Sequence, residues 1–122
     1  MSRTWLITGA SSGFGRGLVE TLLARGDRVA ATVRRAEALA DLQAAHGDAL
    51  TVLQLDLRDG AAVRETVTRA FQALGRIDVL VSNAGYGTLG AAEAATDAQV
   101  RDLIDTNLIG SITLIQAALP HL

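Results

Sequence analysis

The chain has 122 residues, 49% of them hydrophobic, and a formal net charge of −2, which suits one domain with a real core. Cysteine is absent and His46 and His121 stand far apart, so neither a disulfide framework nor a metal site is expected. The arginines are scattered rather than grouped, against a nucleic-acid surface; no apolar run approaches the roughly 18 residues of a membrane span, no leader pattern opens the chain, and a soluble cytoplasmic protein is the expectation.

Short apolar runs alternate with longer amphipathic ones. Trp5-Leu6-Ile7-Thr8 reads as a first strand, and Phe14, Leu18 and Leu22 then repeat at fours in a helix reaching about Arg25. Gly26-Asp27 stops that helix, and Arg28 to Val33 forms a second strand. A helix rich in Ala and Leu follows from Ala36 to Ala45, closed by His46-Gly47, and Leu50 to Leu55 is strand three. Asp59 is placed to cap a helix from Gly60 to Leu74, with Val63, Val67, Ala70, Phe71 and Leu74 on one face and Gly75 at its end. Asp78 to Ser82 is strand four. A loop rich in Gly and Ala runs from Asn83 to about Ala95, and Thr96 or Asp97 caps a last helix that continues to about Leu119.

Strands alternating with helices of ten or more residues mean βαβ units, a parallel sheet and helices on both its faces. The whole of residues 1–122 therefore reads as a single α/β domain of Rossmann-like, doubly wound type, with no linker, repeat or low-complexity tract.

In that topology the turn after strand one lies at the carboxyl edge of the sheet, where ligands bind. Here it is Gly9-Ala10-Ser11-Ser12-Gly13-Phe14-Gly15. A helix starting near Ser12 or Gly13 presents unpaired N–H groups and the positive end of its dipole. Glycines admit a diphosphate close to the backbone, and the serine hydroxyls can donate to its oxygens. The Gly-Lys-Ser/Thr ending of a nucleotide-triphosphatase loop is missing.

TGASSGFG resembles the cofactor loop of the short-chain dehydrogenase/reductase family, Thr-Gly-x-x-x-Gly-x-Gly. Asp56-Leu57 is similar to that family's adenine-side pair, and Ser82-Asn83-Ala84-Gly85 to its Asn-Asn-Ala-Gly element, with Ser82 in place of the first Asn. Asn107, in Thr106-Asn107-Leu108, matches the helix asparagine of its catalytic tetrad. The resemblance covers essentially the whole chain. It implies that Gly9, Ser11, Ser12, Gly13, Phe14 and Gly15 surround the pyrophosphate and adjacent ribose. Asp56 would accept from the adenine amino group and Leu57 border the ring. Asn83, Ala84 and Gly85 would line the adenosine ribose and brace strand four, and Asn107 would serve a proton relay.

At the end of strand two, an acidic residue would bind the ribose hydroxyls and repel a 2′-phosphate. This chain has Val33, Arg34 and Arg35 instead. Arginine suits a phosphate with a bidentate fork, so NADP(H) is the expected cofactor.

The family's hydride transfer also needs a tyrosine with a lysine four residues later, and a serine on a fifth strand. All eleven basic residues here are arginine, and the single tyrosine, Tyr86, is followed by Gly87-Thr88-Leu89-Gly90. The resemblance thus implies the cofactor-binding half of an oxidoreductase acting on a small carbonyl or alcohol, not competent alone and ending before strand five. A non-catalytic NADP(H)-binding module and a structural or engineered fragment are the alternatives. In the family's strand order, 3-2-1-4, strand four would be left as an unprotected apolar edge. Self-association as a homo-oligomer, or docking of a separately supplied second half, is the expectation.

Overall fold

The computed structural model describes residues 2–87 and 90–122; Thr88 and Leu89, in the loop predicted after strand four, lie outside the described residues, as does Met1. Four strands form one parallel sheet in the order β3-β2-β1-β4, with β1 at Thr4–Ile7, β2 at Arg28–Val33, β3 at Leu50–Gln54 and β4 at Val79–Val81. Because successive strand side chains point to opposite faces, Leu6 and Ile7 enter different cores. Leu6, Ala30 and Leu53 pack with α3 (Gly60–Leu74) and Leu114; Ile7, Val29 and Ala31 pack with α1 (Gly13–Ala24) and Leu39 on the other side. The doubly wound α/β expectation is therefore met.

The start of β1 is held between two carboxylates. Asp27, nearly fully buried, accepts from the Arg3 amide (3.0 Å), Trp5 Nε1 (3.0 Å) and Arg25 Nη2 (2.7 Å), and Asp78 accepts from the Thr4 amide at 2.9 Å. The Arg3 amide, with Trp5 and Arg25, holds the Asp27 carboxyl below its usual range, and the Thr4 amide with Arg76 does the same for Asp78. A carboxyl lowered in the folded state adds stability that is complete above the unfolded value near 3.9 and disappears as pH falls through the folded one. Thermal midpoints followed by circular dichroism should stay level from neutral pH to about 5 and drop below about 4, and Asp27→Asn should flatten part of that drop.

Two helices depart from the expected outline. The predicted helix from Ala36 begins as a tight 3₁₀ turn, Ala36–Leu39, before α2 (Ala40–His46). Arg16 of α1 grips that corner, donating to the Ala38 carbonyl at 3.2 Å and pairing with Asp41 and with Glu20. The last predicted helix is α4 (Asp97–Ile104), a π-helical turn (Asp105–Ile109) and α5 (Gly110–Ala118), closed by a 3₁₀ turn around Pro120. Thr96 is the cap, in a reciprocal box with Gln99. The π turn coincides with close docking at Gly110, where a Cβ would lie 2.7 Å from the Leu57 carbonyl oxygen.

Although no contiguous apolar run is long enough, the joined helical run Asp97–His121 reaches a mean hydropathy of 1.2 over an 18-residue window, enough by length and composition for a membrane span. Its inner side, with Gly110, Thr113, Leu114 and Ala118 buried, packs on the domain. Val100, Ile104, Leu108, Ile112, Ile115 and Leu119 remain exposed on the described chain.

Candidate functional site

A cleft of about 400 Å³ opens at the carboxyl ends of the strands. Its floor is the β1–α1 corner, where Gly9 and Gly13 adopt left-handed conformations at φ 67° and 59°. Gly9 is also pressed against β4's exit, since a Cβ there would sit 2.6 Å from Ala84 Cα. A Cβ on Gly13 would meet nothing within 4 Å, so the space above the start of α1 is open.

The start of α1 differs from those of α3 and α4. Asp59 caps α3 through the Ala62 amide at 3.1 Å, and Thr96 caps α4 through Gln99. Ser12, the N-cap of α1, makes no side-chain cap, and the first turn carries no acidic residue. The first-turn amides of a helix lack intrahelical acceptors, so this end offers bare donors and positive potential to an anion. Ser11, Ser12 and Gly13 line the cleft around it, beside Phe14, whose ring is 94% exposed. Gly15 stands behind this surface: its Cβ would lie 2.3 Å from the Gly9 carbonyl oxygen and 2.5 Å from Asn83 Nδ2.

At the end of β2, Arg34 is exposed, lines the cleft and forms no ion pair among the described residues. Arg35 is exposed but lies outside the cleft wall, at the start of the 3₁₀ turn. Beyond β3, Leu55, Asp56 and the buried Leu57 form the neighbouring wall. The Asp56 carboxylate is already engaged. Its Oδ1 accepts from the Arg58 amide and from Arg58 Nε, both at 3.0 Å, and Oδ2 accepts from Arg58 Nη2 at 2.6 Å. The Arg58 side chain, with the Arg58 amide and Arg34 adding to it, lowers the Asp56 carboxyl to about 2.

The opposite wall is Asn83, Ala84 and Gly85, after β4. Thr8, fully buried, fixes this segment: its Oγ1 accepts from both the Asn83 and Ala84 amides at 3.1 Å. Asn83 Nδ2 returns a bond to the Gly9 carbonyl at 3.0 Å. Two chain segments more than seventy residues apart are thereby locked into one corner. Asn107, in the π turn, lies outside the cleft wall and clasps Tyr86 in both directions, accepting from its amide at 2.9 Å and donating to its carbonyl at 2.6 Å. That clasp holds Tyr86 and Thr106 at the cleft mouth. Ser82 and Ser111 bond each other at 3.0 Å.

The cleft thus gathers the predicted positions of the glycine loop apart from Gly15, together with Arg34, Asp56, Leu57 and the segment from Asn83 to Gly85. Thr106, in the cleft wall, and Arg58, which holds Asp56 from outside it, are residues that the sequence pattern does not single out. Thr8 does carry a signal, a polar β-branched residue at the end of an apolar strand; the pairing of Arg58 with Asp102 across elements, at 3.2 Å, carries none.

Residues 3–122 match the family model described as short chain dehydrogenase. The NADP-dependent 3-hydroxy acid dehydrogenase YdfG of Escherichia coli O6:H1 is 40% identical over 118 residues, covering 94% of this chain and 47% of that protein. The crystal structure of a short-chain dehydrogenase from Streptomyces avermitilis superposes with a TM-score of 0.93 at 44% identity, over 98% of this chain and 44% of its own. A metagenomic short-chain oxidoreductase solved in complex with NADP superposes at 0.90 with 32% identity, over 99% of this chain and 57% of that one. The chain spans about half the length of the curated relatives it matches.

Proposed function

The chain belongs to the short-chain dehydrogenase family, and on that premise we propose that it is the cofactor-binding half of an NADP(H)-dependent oxidoreductase interconverting a carbonyl and an alcohol. The observation that carries this reading is the cleft, whose wall includes both the uncapped start of α1 and the Arg34 guanidinium, which forms no ion pair among the described residues. The space over Gly13 is open, as the close approach of a diphosphate to the backbone requires. When bound, the cofactor supplies or takes up the hydride.

This chain's own residues bind and orient. The α1 amides and the Ser11 and Ser12 hydroxyls donate to the pyrophosphate, and Arg34 presents a fork to the 2′-phosphate. Leu57 borders the base, and Asn83, Ala84 and Gly85 close the ribose side. Asn107 is a positioning residue, fixing the backbone of Tyr86 at the mouth; a part in the family's proton relay belongs to this reading too. Two relatives named for or solved with NADP support the choice of cofactor, as does the lack of an acid at positions 33 to 35.

With no lysine in the chain, residues 1–122 alone should bind without turning substrate over, which also favours the second reading, a module that holds the nucleotide without chemistry. A second copy or a further half of the enzyme would cover the exposed apolar side of α4 and α5, in a cytoplasmic protein. Arg34→Asp tests the cofactor. A charge-assisted hydrogen bond contributes about 1.5–3 kcal/mol, so calorimetry should show the preference for NADPH over NADH falling by about ten- to a hundredfold. An unchanged preference would remove the phosphate from Arg34.

A further inference from the structure

The turn after β2 carries Arg34, and its backbone is tied down at three carbonyls. The Leu55 amide donates to the Val33 carbonyl at 2.9 Å, and beyond that bond the two strands part, since β2 ends at Val33. The next carbonyl, that of Arg34, is taken by a side chain: Gln54 Nε2 donates to it at 3.1 Å. The Arg35 carbonyl then accepts from the Ala38 amide at 3.0 Å, and the Ala38 carbonyl accepts from Arg16 Nη1 at 3.2 Å. Gln54, the last residue of β3, is exposed and lies outside the cleft wall, whereas the Arg34 that it holds lies in that wall. Its bond has a counterpart at the other end of the strand, where Gln43 Nε2 donates to the Leu50 carbonyl at 3.3 Å.

We propose that Gln54 is a positioning residue for recognition of the 2′-phosphate: its carboxamide adds one rung to the β2–β3 ladder and so fixes the backbone that carries Arg34 at the cleft. The inference rests on the assignment of the 2′-phosphate to Arg34. An arginine that closes on a phosphate gives up the freedom of its long side chain, and a loose backbone beneath it would add a second ordering cost at the moment of binding. With the Arg34 carbonyl already held, that ordering is complete in the folded chain. Leu57, fixed by the core it is packed in, and the α1 amides serve either nucleotide alike, so the gain falls on the phosphorylated one. Gln54 carries no charge, so replacing it by another neutral residue preserves the electrostatic potential around the phosphate. A change in cofactor preference then reports on how Arg34 is held.

The test is calorimetric titration of the chain with NADPH and NADH. Gln54→Leu keeps most of the side-chain volume and removes the donor, and Gln54→Thr is a second variant suited to a strand; melting curves verify that each is folded. In either, the preference for NADPH is expected to fall by about threefold to fivefold, the scale of one neutral hydrogen bond, with NADH affinity unchanged within about twofold. Gln43→Leu is the control: it loses a bond of the same kind at the far end of β3 and should leave the preference where it stands. In an Arg34→Ala background, Gln54→Leu should lower the preference no further. An unchanged preference in a folded Gln54 variant overturns the positioning by Gln54. So does an equal fall in Gln43→Leu, or a further fall beneath Arg34→Ala. In those cases a fall in Arg34→Ala itself leaves the phosphate with Arg34. A parent chain that does not prefer NADPH, or an Arg34→Ala variant that keeps the preference, overturns the phosphate assignment and the positioning with it, as does the absence of saturable heat with both nucleotides.

Discussion

Alanine at position 9 is expected to abolish nucleotide binding and to lower the melting temperature by 10 °C or more, roughly. Two costs add. Gly9 sits at φ 67°, where a residue with a Cβ is disfavoured by about 1–2 kcal/mol. The new methyl would stand 2.6 Å from Ala84 Cα and 2.9 Å from its nitrogen, and relieving such overpacking costs about 1–3 kcal/mol. Both neighbours are backbone, so relief means separating the β1–α1 corner from the end of β4. A domain of this size has a total stability on the order of 10 kcal/mol, and that loss is a large share of it. Gly17 is the control: its Cβ would meet nothing within 4 Å and it lies inside α1. Gly17→Ala should raise stability by about 0.5–1 kcal/mol. If Gly9→Ala melts with the parent chain and binds as well, the corner is not held as described.

Thr8→Val should cost about 2–4 kcal/mol while preserving shape. The hydroxyl accepts from two backbone amides, Asn83 and Ala84, at 3.1 Å each, and the residue is fully buried. Valine keeps the branched volume but strands both donors. An unsatisfied buried group costs about 1–3 kcal/mol, and the loss should show in the denaturant midpoint with an unchanged slope. Thr8→Ser keeps the oxygen and should recover most of it. A valine variant as stable as the parent would mean that water replaces the hydroxyl and that the bracing of Asn83 does not depend on it.

These two residues show what local pattern conveys and what it does not. The limits of β2 at Arg28–Val33 and of α3 at Gly60–Leu74 are both readable from sequence, because the apolar run after Gly26-Asp27, the Asp59 cap and Gly75 are all local. The glycine loop is readable as an anion corner for the same reason. The tie from Thr8 to Asn83 spans 75 residues and leaves no periodic trace. The π turn at Asp105–Ile109 is hidden because apolar spacing marks a helical face without counting residues per turn. It is set instead by Gly110 settling on Leu57 and by Asn107 clasping Tyr86, contacts made only after folding. Asp56 is legible as a polar residue at a strand end. Its partner is not, because the geometry that closes Arg58 onto it also needs Asp102 from α4.

The central claim is that the uncapped start of α1, between Ser11 and Gly15, receives a dinucleotide pyrophosphate. Its most direct test is a nuclear magnetic resonance titration of the ¹⁵N-labelled chain with NADP⁺, following backbone amides. Saturable shifts concentrated on Gly13, Phe14 and Gly15, with accompanying shifts at Arg34 and none along the outer side of α5, are the expected result. Amides at Gly13 to Gly15 that stay still while the nucleotide saturates elsewhere, or no saturable shift with either NADP⁺ or NAD⁺, would contradict it.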